Sequence, residues 1–183
     1  MTKCKVCRTD FKKRSMTHKV CSPACSELFG RKQAQLLFEK KKRLESKENR
    51  IRRESYRTNN EWADLAQKSV NKYVRLRDEK RNYPCISCQK PLSKGEVTHA
   101  SHFKSRGANS ALRFHLWNIH RSCVQCNLFK SGNLIGYVAG LTERIGAEKV
   151  EILNNYPKSR IFDIDYLKRI RMIFDKKSKR IKK

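Results

Sequence analysis

Residues 61–81 carry apolar side chains at Trp62, Leu65, Ala66, Val70, Tyr73, Val74 and Leu76, with the small Ser69 among them. Steps of three and four put these on one side of an α-helix, which Pro84 ends. Residues 133–145 and 147–155 predict two short helices broken at Gly146, with Pro157 beyond. Residues 163–174 predict a last amphipathic helix. Val97 to Phe103 has strand character, Lys104 to Ser110 reads as a loop, and Leu116 to His120 predicts a second short strand, followed by a helix. Residues 30–58 differ. Their apolar positions are only Leu36, Leu37, Phe38, Leu44 and Ile51, among eleven Lys/Arg and four Glu. That pattern predicts a long solvated helix, or a segment that orders on meeting a partner.

The pattern therefore gives an α+β chain that is mostly helical. Its boundaries fall at 1–29, 30–60, 61–156 and 157–183. The last segment ends in KKSKRIKK, a tail with six cations in eight residues.

Charge narrows the partner. Among 183 residues, 44 are Lys or Arg and 17 Asp or Glu, a formal net charge of +27. Solubility needs far less, so the excess points to a polyanion, either nucleic acid or an acidic membrane surface. The start, MTKCKVC, has no apolar secretory core. The longest near-apolar stretch, Asn133 to Leu141, is too short to span a bilayer. These features place the chain in a reducing cytoplasm, where ordered cysteines serve as metal ligands more often than as disulfides.

There are eight cysteines in two quartets. Cys4, Cys7, Cys21 and Cys25 follow C-x2-C, thirteen residues, C-x3-C. Cys85, Cys88, Cys123 and Cys126 form two C-x2-C pairs separated by 34 residues. Tetrahedral zinc takes such paired thiolates, and four of them leave no open position. The sequence thus predicts two structural Zn2+ ions, with His18 an alternative ligand to one thiolate of the first. Any chemistry must come from other residues.

The segment between the second pair of knuckles holds His99, His102, His115, Asn118 and His120, with Asn127 directly after Cys126. Strand, strand and helix over a zinc site resemble the HNH, or ββα-metal, nucleases. That resemblance implies His102 as general base, Asn118 as the residue that holds the loop and orients it, and Asn127 as ligand to a catalytic divalent metal, Mg2+ or Mn2+. The family places Asp just before the base. Here Ser101 stands there, and His99 is the nearest substitute ligand, which favours a softer ion. His115 reads as structural, and His120 is open between core and site. Lys104, Arg106, Arg113 and Lys130 read as phosphate contacts or as solvated charges. Phe103, Phe114 and Trp117 read as core.

A narrower resemblance rests on VNKYVRLRD (70–78), PCISC (84–88), LRF (112–114), NIHRSCVQCN (118–127), KSGNL (130–134) and ERIG (143–146). These segments are similar to the phage lambda NinG (Rap) recombination proteins. The resemblance implies a structure-specific endonuclease that cuts Holliday junctions and D-loops in phage or prophage recombination, in the cytoplasm of a bacterial host. Its partners would be branched double-stranded DNA, with recombination proteins and a second copy of the chain left open. Lys176, Lys177, Lys179 and Arg180 of the tail would add phosphate contacts. The alternative is a non-catalytic, zinc-containing adaptor that binds junctions, which the missing Asp favours. A sequence-specific nuclease lacks a target-reading region here, and a membrane binder leaves the cysteine quartets unexplained.

Overall fold

The computed structural model describes residues 1–130 and 132–182. It divides into two compact units, Met1–Arg57 and Thr58–Lys183. In the first, β1 (Thr2–Lys3) pairs antiparallel with β2 (Asp10–Phe11). Ser22 then caps α1 (Pro23–Ser55), accepting from the Cys25 amide, with proline at the helix start. That is the placement proline tolerates. None of the 33 residues of α1 is buried. The helix presents its cations, and Leu37, Leu44 and Ile51, to solvent.

The second unit is built on α2 (Asn59–Lys80). Thr58 and Glu61 form a reciprocal capping box that satisfies the first free amides. The helix buries Trp62, Ala63, Ala66, Val70 and Val74 against Phe114, Ile119, Phe162, Leu167 and Phe174. Leu167 and Phe174 come from α5 (Ile164–Ile181), which Asp163 caps. The expected tail is therefore helical as far as Ile181, and Ser178 within it is buried. Lys183, its last residue, lies outside the described residues, as does Ser131 of KSGNL.

The two central strands, β3 (Thr98–His102) and β4 (Ile119–Cys123), pair antiparallel in continuous register from Thr98↔Cys123 to His102↔Ile119. The second strand begins three residues later than its apolar pattern suggests. Residues 110–118 are spent on successive tight turns, with the amides of Arg113, His115 and Asn118 donating to the carbonyls three residues back. Every β4 residue is buried, so both sheet faces are covered and no alternation marks the strand. Past Cys123 the chain makes a single π-helical turn, Gln125–Phe129, then α3 (Leu134–Ile145) and α4 (Ala147–Asn154). A second core forms from Ile86, Phe103, Leu112, Tyr137, Leu141, Val150 and Leu153.

Asp78 locks these layers together. It is fully buried, accepting from Arg77 Nε at 2.7 Å and from the Arg121 amide at 2.8 Å, with Arg144 Nη1 at 3.7 Å. Arg77 also donates to the carbonyls of Leu116 and Ile119. His120 belongs to this network, with Nδ1 4.0 Å from Asp78 and Nε2 3.0 Å from the Trp117 carbonyl. Burial depresses its pKa to about 4, against the opposing pull of Asp78, so the ring is neutral. No helix among the described residues is long and apolar enough to cross a membrane.

Candidate functional site

Each cysteine quartet converges. The four sulfurs of Cys4, Cys7, Cys21 and Cys25 lie within 4.8 Å of one another, as do those of Cys85, Cys88, Cys123 and Cys126. Neighbouring sulfurs stand 3.4 Å apart at Cys7–Cys21, 3.7 Å at Cys85–Cys123 and 3.9 Å at Cys88–Cys123. Four thiolates at tetrahedral Zn–S distances are about 3.8 Å apart. The geometry fits, and each tetrad can hold a zinc ion with no ligand position left over. The Cys4–Cys7 and Cys85–Cys88 knuckles are formed by backbone: Arg8 and Gln89 take positive φ, and their amides donate to the carbonyls of Cys4 and Cys85. His18 is not part of the set. Its Nδ1 accepts from the Arg14 amide, and its ring packs edge-on to Phe11.

Between β3 and β4 the loop is stapled by Asn118, which is fully buried. Its Oδ1 accepts from the Lys104 amide at 2.8 Å, and its Nδ2 donates to the carbonyls of Lys104 (3.0 Å) and Leu112 (3.2 Å). Its own carbonyl accepts from the Phe103 amide. One side chain thus ties both ends of the excursion to the strand pair. Tyr137 of α3 supports it from beneath, donating to the Ser101 carbonyl at 2.9 Å. Burial pushes the Tyr137 phenol well above its usual range, so it remains a donor.

His102 closes β3. Its Nε2 lies 3.2 Å from the Arg113 carbonyl and 3.4 Å from Gln67 Nε2 on α2. No protein group among the described residues is hydrogen-bonded to Nδ1. Burial above all, with the positive charges of Arg106 and Arg113, lowers the His102 pKa to about 4 against the opposing pull of the Arg113 carbonyl. The imidazole is neutral at pH 7. A carbonyl holding one ring N–H leaves a lone pair on the other nitrogen.

His99 stands on the same strand at an odd offset, and the register is unbroken, so it faces the opposite side of the sheet from His102. It shares that side with Ser101. There Asn127, from the π-helical turn, places Nδ2 2.9 Å from His99 Nδ1. The structure thus brings His99 to Asn127 and brings His102 to Arg113 and Gln67, as two clusters flanking one strand. Apart from the two cysteine tetrads, no group of three or more His, Cys, Asp or Glu ligands converges among the described residues. The His99–Asn127 pair is accordingly one imidazole nitrogen and one amide, without a carboxylate.

The cations fall into separate places. Arg113 donates to Asp64 at 2.8 Å and to Gln67 at 3.3 Å, and Arg106 approaches the same Asp64 at 3.7 Å. With Asn60, Ser105 and Gly107 they line an open pocket. Lys104 lies over the Phe103 ring, and Lys130 is exposed beyond the π-helical turn. Lys176, Lys177, Lys179 and Arg180 are all exposed on the last turns of α5, and Lys177 also lies over the Tyr73 and Phe174 rings. His115 packs against Trp117 and Tyr156 and accepts from the Trp117 amide. Gln67 and Asp64 carry no sequence signal. They are ordinary polar residues of an amphipathic helix, and only the fold sets them beside His102 and Arg113.

A family model described as bacteriophage lambda NinG protein matches residues 1–183. The chain is 38% identical over 135 residues to protein ninG of Escherichia phage lambda, an alignment covering 71% of this chain and 62% of that protein. It is 36% identical over 134 residues to protein ninG of Salmonella phage P22, with the same coverage. Against protein ninG of Escherichia phage 933W it is 40% identical over 116 residues, 61% of this chain and 54% of that protein. The chain therefore spans less than two thirds of the curated relatives it matches. No solved structure matches it.

Proposed function

The chain belongs to the NinG family, and from that premise we propose that it is a metal-dependent, structure-specific DNA endonuclease of the HNH type, cutting four-way junctions and D-loops in phage recombination. The observation that carries this is His102: a neutral imidazole with Nε2 turned to the Arg113 carbonyl, no hydrogen bond from the described residues to Nδ1, and two arginines near enough to lower its pKa. The β3–β4 pair, the loop stapled by Asn118 and the helical turn bearing Asn127 over a cysteine tetrad support a ββα-metal core.

In this reading, Nδ1 of His102 takes a proton from a water molecule, whose oxygen attacks phosphorus as the bond to the leaving oxygen breaks. Arg106 and Arg113 hold the scissile phosphate and offset its developing charge. Asn118 fixes the loop that carries Arg106, so base and clamp keep their spacing. His99 and Asn127 would hold a divalent ion on the side of the sheet away from His102, where it would supply Lewis-acid stabilisation to a phosphate that spans the end of β3. An imidazole in the set favours Mn2+ over Mg2+. Zinc at the tetrads is structural in this reading.

The lack of a carboxylate beside His99 and Asn127 favours a second reading, a junction-binding adaptor that does not cut. Metal-dependent cleavage of a four-way junction by zinc-replete protein, set against His102→Ala, decides between the two.

A further inference from the structure

The segment after Asn127 is anchored and apolar at once. The Gly132 amide donates to the Cys126 carbonyl at 2.9 Å, closing a small loop on the second cysteine tetrad. Ser87 Oγ donates to the Gly132 carbonyl at 2.8 Å, and Asn133 Nδ2 donates to the Ser87 carbonyl at 3.0 Å, tying that loop to the first knuckle of the same tetrad. Gly136 permits this approach, since a Cβ there would fall 1.9 Å from the Ser87 carbonyl oxygen. Yet the loop displays Leu128 at 57% exposure and Phe129 at 73%, with exposed Lys130 next. The chain is anchored at Cys126, Gly132 and Asn133, yet Leu128 and Phe129 stand in water.

We infer that Leu128 and Phe129 form an apolar wedge that inserts between unstacked bases at the branch point of DNA. The inference rests on the nucleic-acid part of the function proposed above. Charge selects the occupant. A chain with net charge +27 repels a second copy and attracts a polyanion. A branch point is the place where a polyanion exposes flat apolar base faces, and a linear duplex keeps them stacked. Leu128 directly follows Asn127, so insertion fixes the distance from the branch to the proposed cleavage site. The wedge supplies preference for branched substrates, which sequence-tolerant phosphate contacts do not.

The test uses the full-length, zinc-loaded protein without added Mg2+ or Mn2+. It measures affinity for a four-way junction and for a linear duplex of the same sequence, with 2-aminopurine placed at the branch. Wild type should bind the junction more tightly and raise the 2-aminopurine fluorescence. The double substitution Leu128→Ser, Phe129→Ser should abolish that rise and lose roughly tenfold in junction affinity while duplex affinity holds. Phe129→Trp should keep both. A double variant that retains the fluorescence rise and the junction preference, or that weakens on both substrates equally, overturns the wedge alone. Wild type that binds neither substrate overturns the nucleic-acid reading, and the wedge with it. Zinc content and circular dichroism confirm that the variants are folded.

Discussion

Asn127 reaches back 28 residues to set its amide nitrogen 2.9 Å from Nδ1 of His99. The π-helical turn follows β4 directly, and His99 pairs with Ser122 near the end of that strand, so the register brings the two together. If this pair holds the proposed ion, its preference follows from the imidazole. Wild type should cleave faster with Mn2+ than with Mg2+. His99→Asp should supply the missing carboxylate and raise the Mg2+-supported rate by about tenfold. His99→Ala should lose activity with either. Identical metal profiles for all three proteins would remove His99 from the site.

Protonation of His102 sets a pH limit. In the proposed role His102 works only when neutral, and burial with the charges of Arg106 and Arg113 brings its pKa to about 4. The value of kcat/KM reports the free enzyme. It should therefore stay level from pH 8 down to about 5 and fall only as pH approaches 4. An acidic limb centred near 6.5, the ordinary imidazole value, would mean that the ring is not held as the structure has it.

Zinc should be present at two ions per chain, by elemental analysis. Cys126→Ser should lose one. Three of the four sulfurs in that tetrad belong to buried residues, so unit Thr58–Lys183 should lose on the order of 3 kcal/mol or more, a fall in Tm of roughly 10 °C. Cys7→Ser should lose the other ion and leave that transition in place. A single zinc in wild type would contradict the paired assignment.

The cations at the end of α5 divide by role. Lys177 covers two aromatic rings, and buried Ser178 makes truncation of this segment a packing change as well as a charge change. Replacing Lys176, Lys179 and Arg180 with Gln isolates the charge. Each cation that neutralises a phosphate contributes about 0.9 to the slope of log K against log salt. The triple substitution should therefore flatten the slope by roughly 2 to 3. An unchanged slope would place this end of α5 outside the interface.

Much of this architecture was legible because it repeats simple spacings. Steps of three and four marked α2, Gly146 marked the break between α3 and α4, and the cysteine intervals marked both tetrads. What escaped was polar and long-range. Asp78 and Gln67 lie on the buried face of α2, yet an apolar count passes over them. Asp78 is tolerable there only because Arg77, Arg144 and the Arg121 amide meet it, and Arg144 is 66 residues away. The pairing of His99 with Asn127, and its separation from His102 across the strand, depends on a register that no local pattern encodes. α5 outran its expected end because its final turns alternate cations with the buried Ser178, which reads as a tail in composition.

The central claim is that His102 is the base of a branched-DNA endonuclease. Its most direct test is cleavage of a labelled four-way junction beside a linear duplex of the same sequence. Zinc-replete wild type and His102→Ala would be compared with Mn2+, with Mg2+ and without added metal. Wild type should cut only the junction and only with metal, and His102→Ala should bind without cutting, with a rate loss of at least about 100-fold. Tight junction binding with no cleavage by wild type under any metal, or equal cleavage by the two proteins, would contradict it.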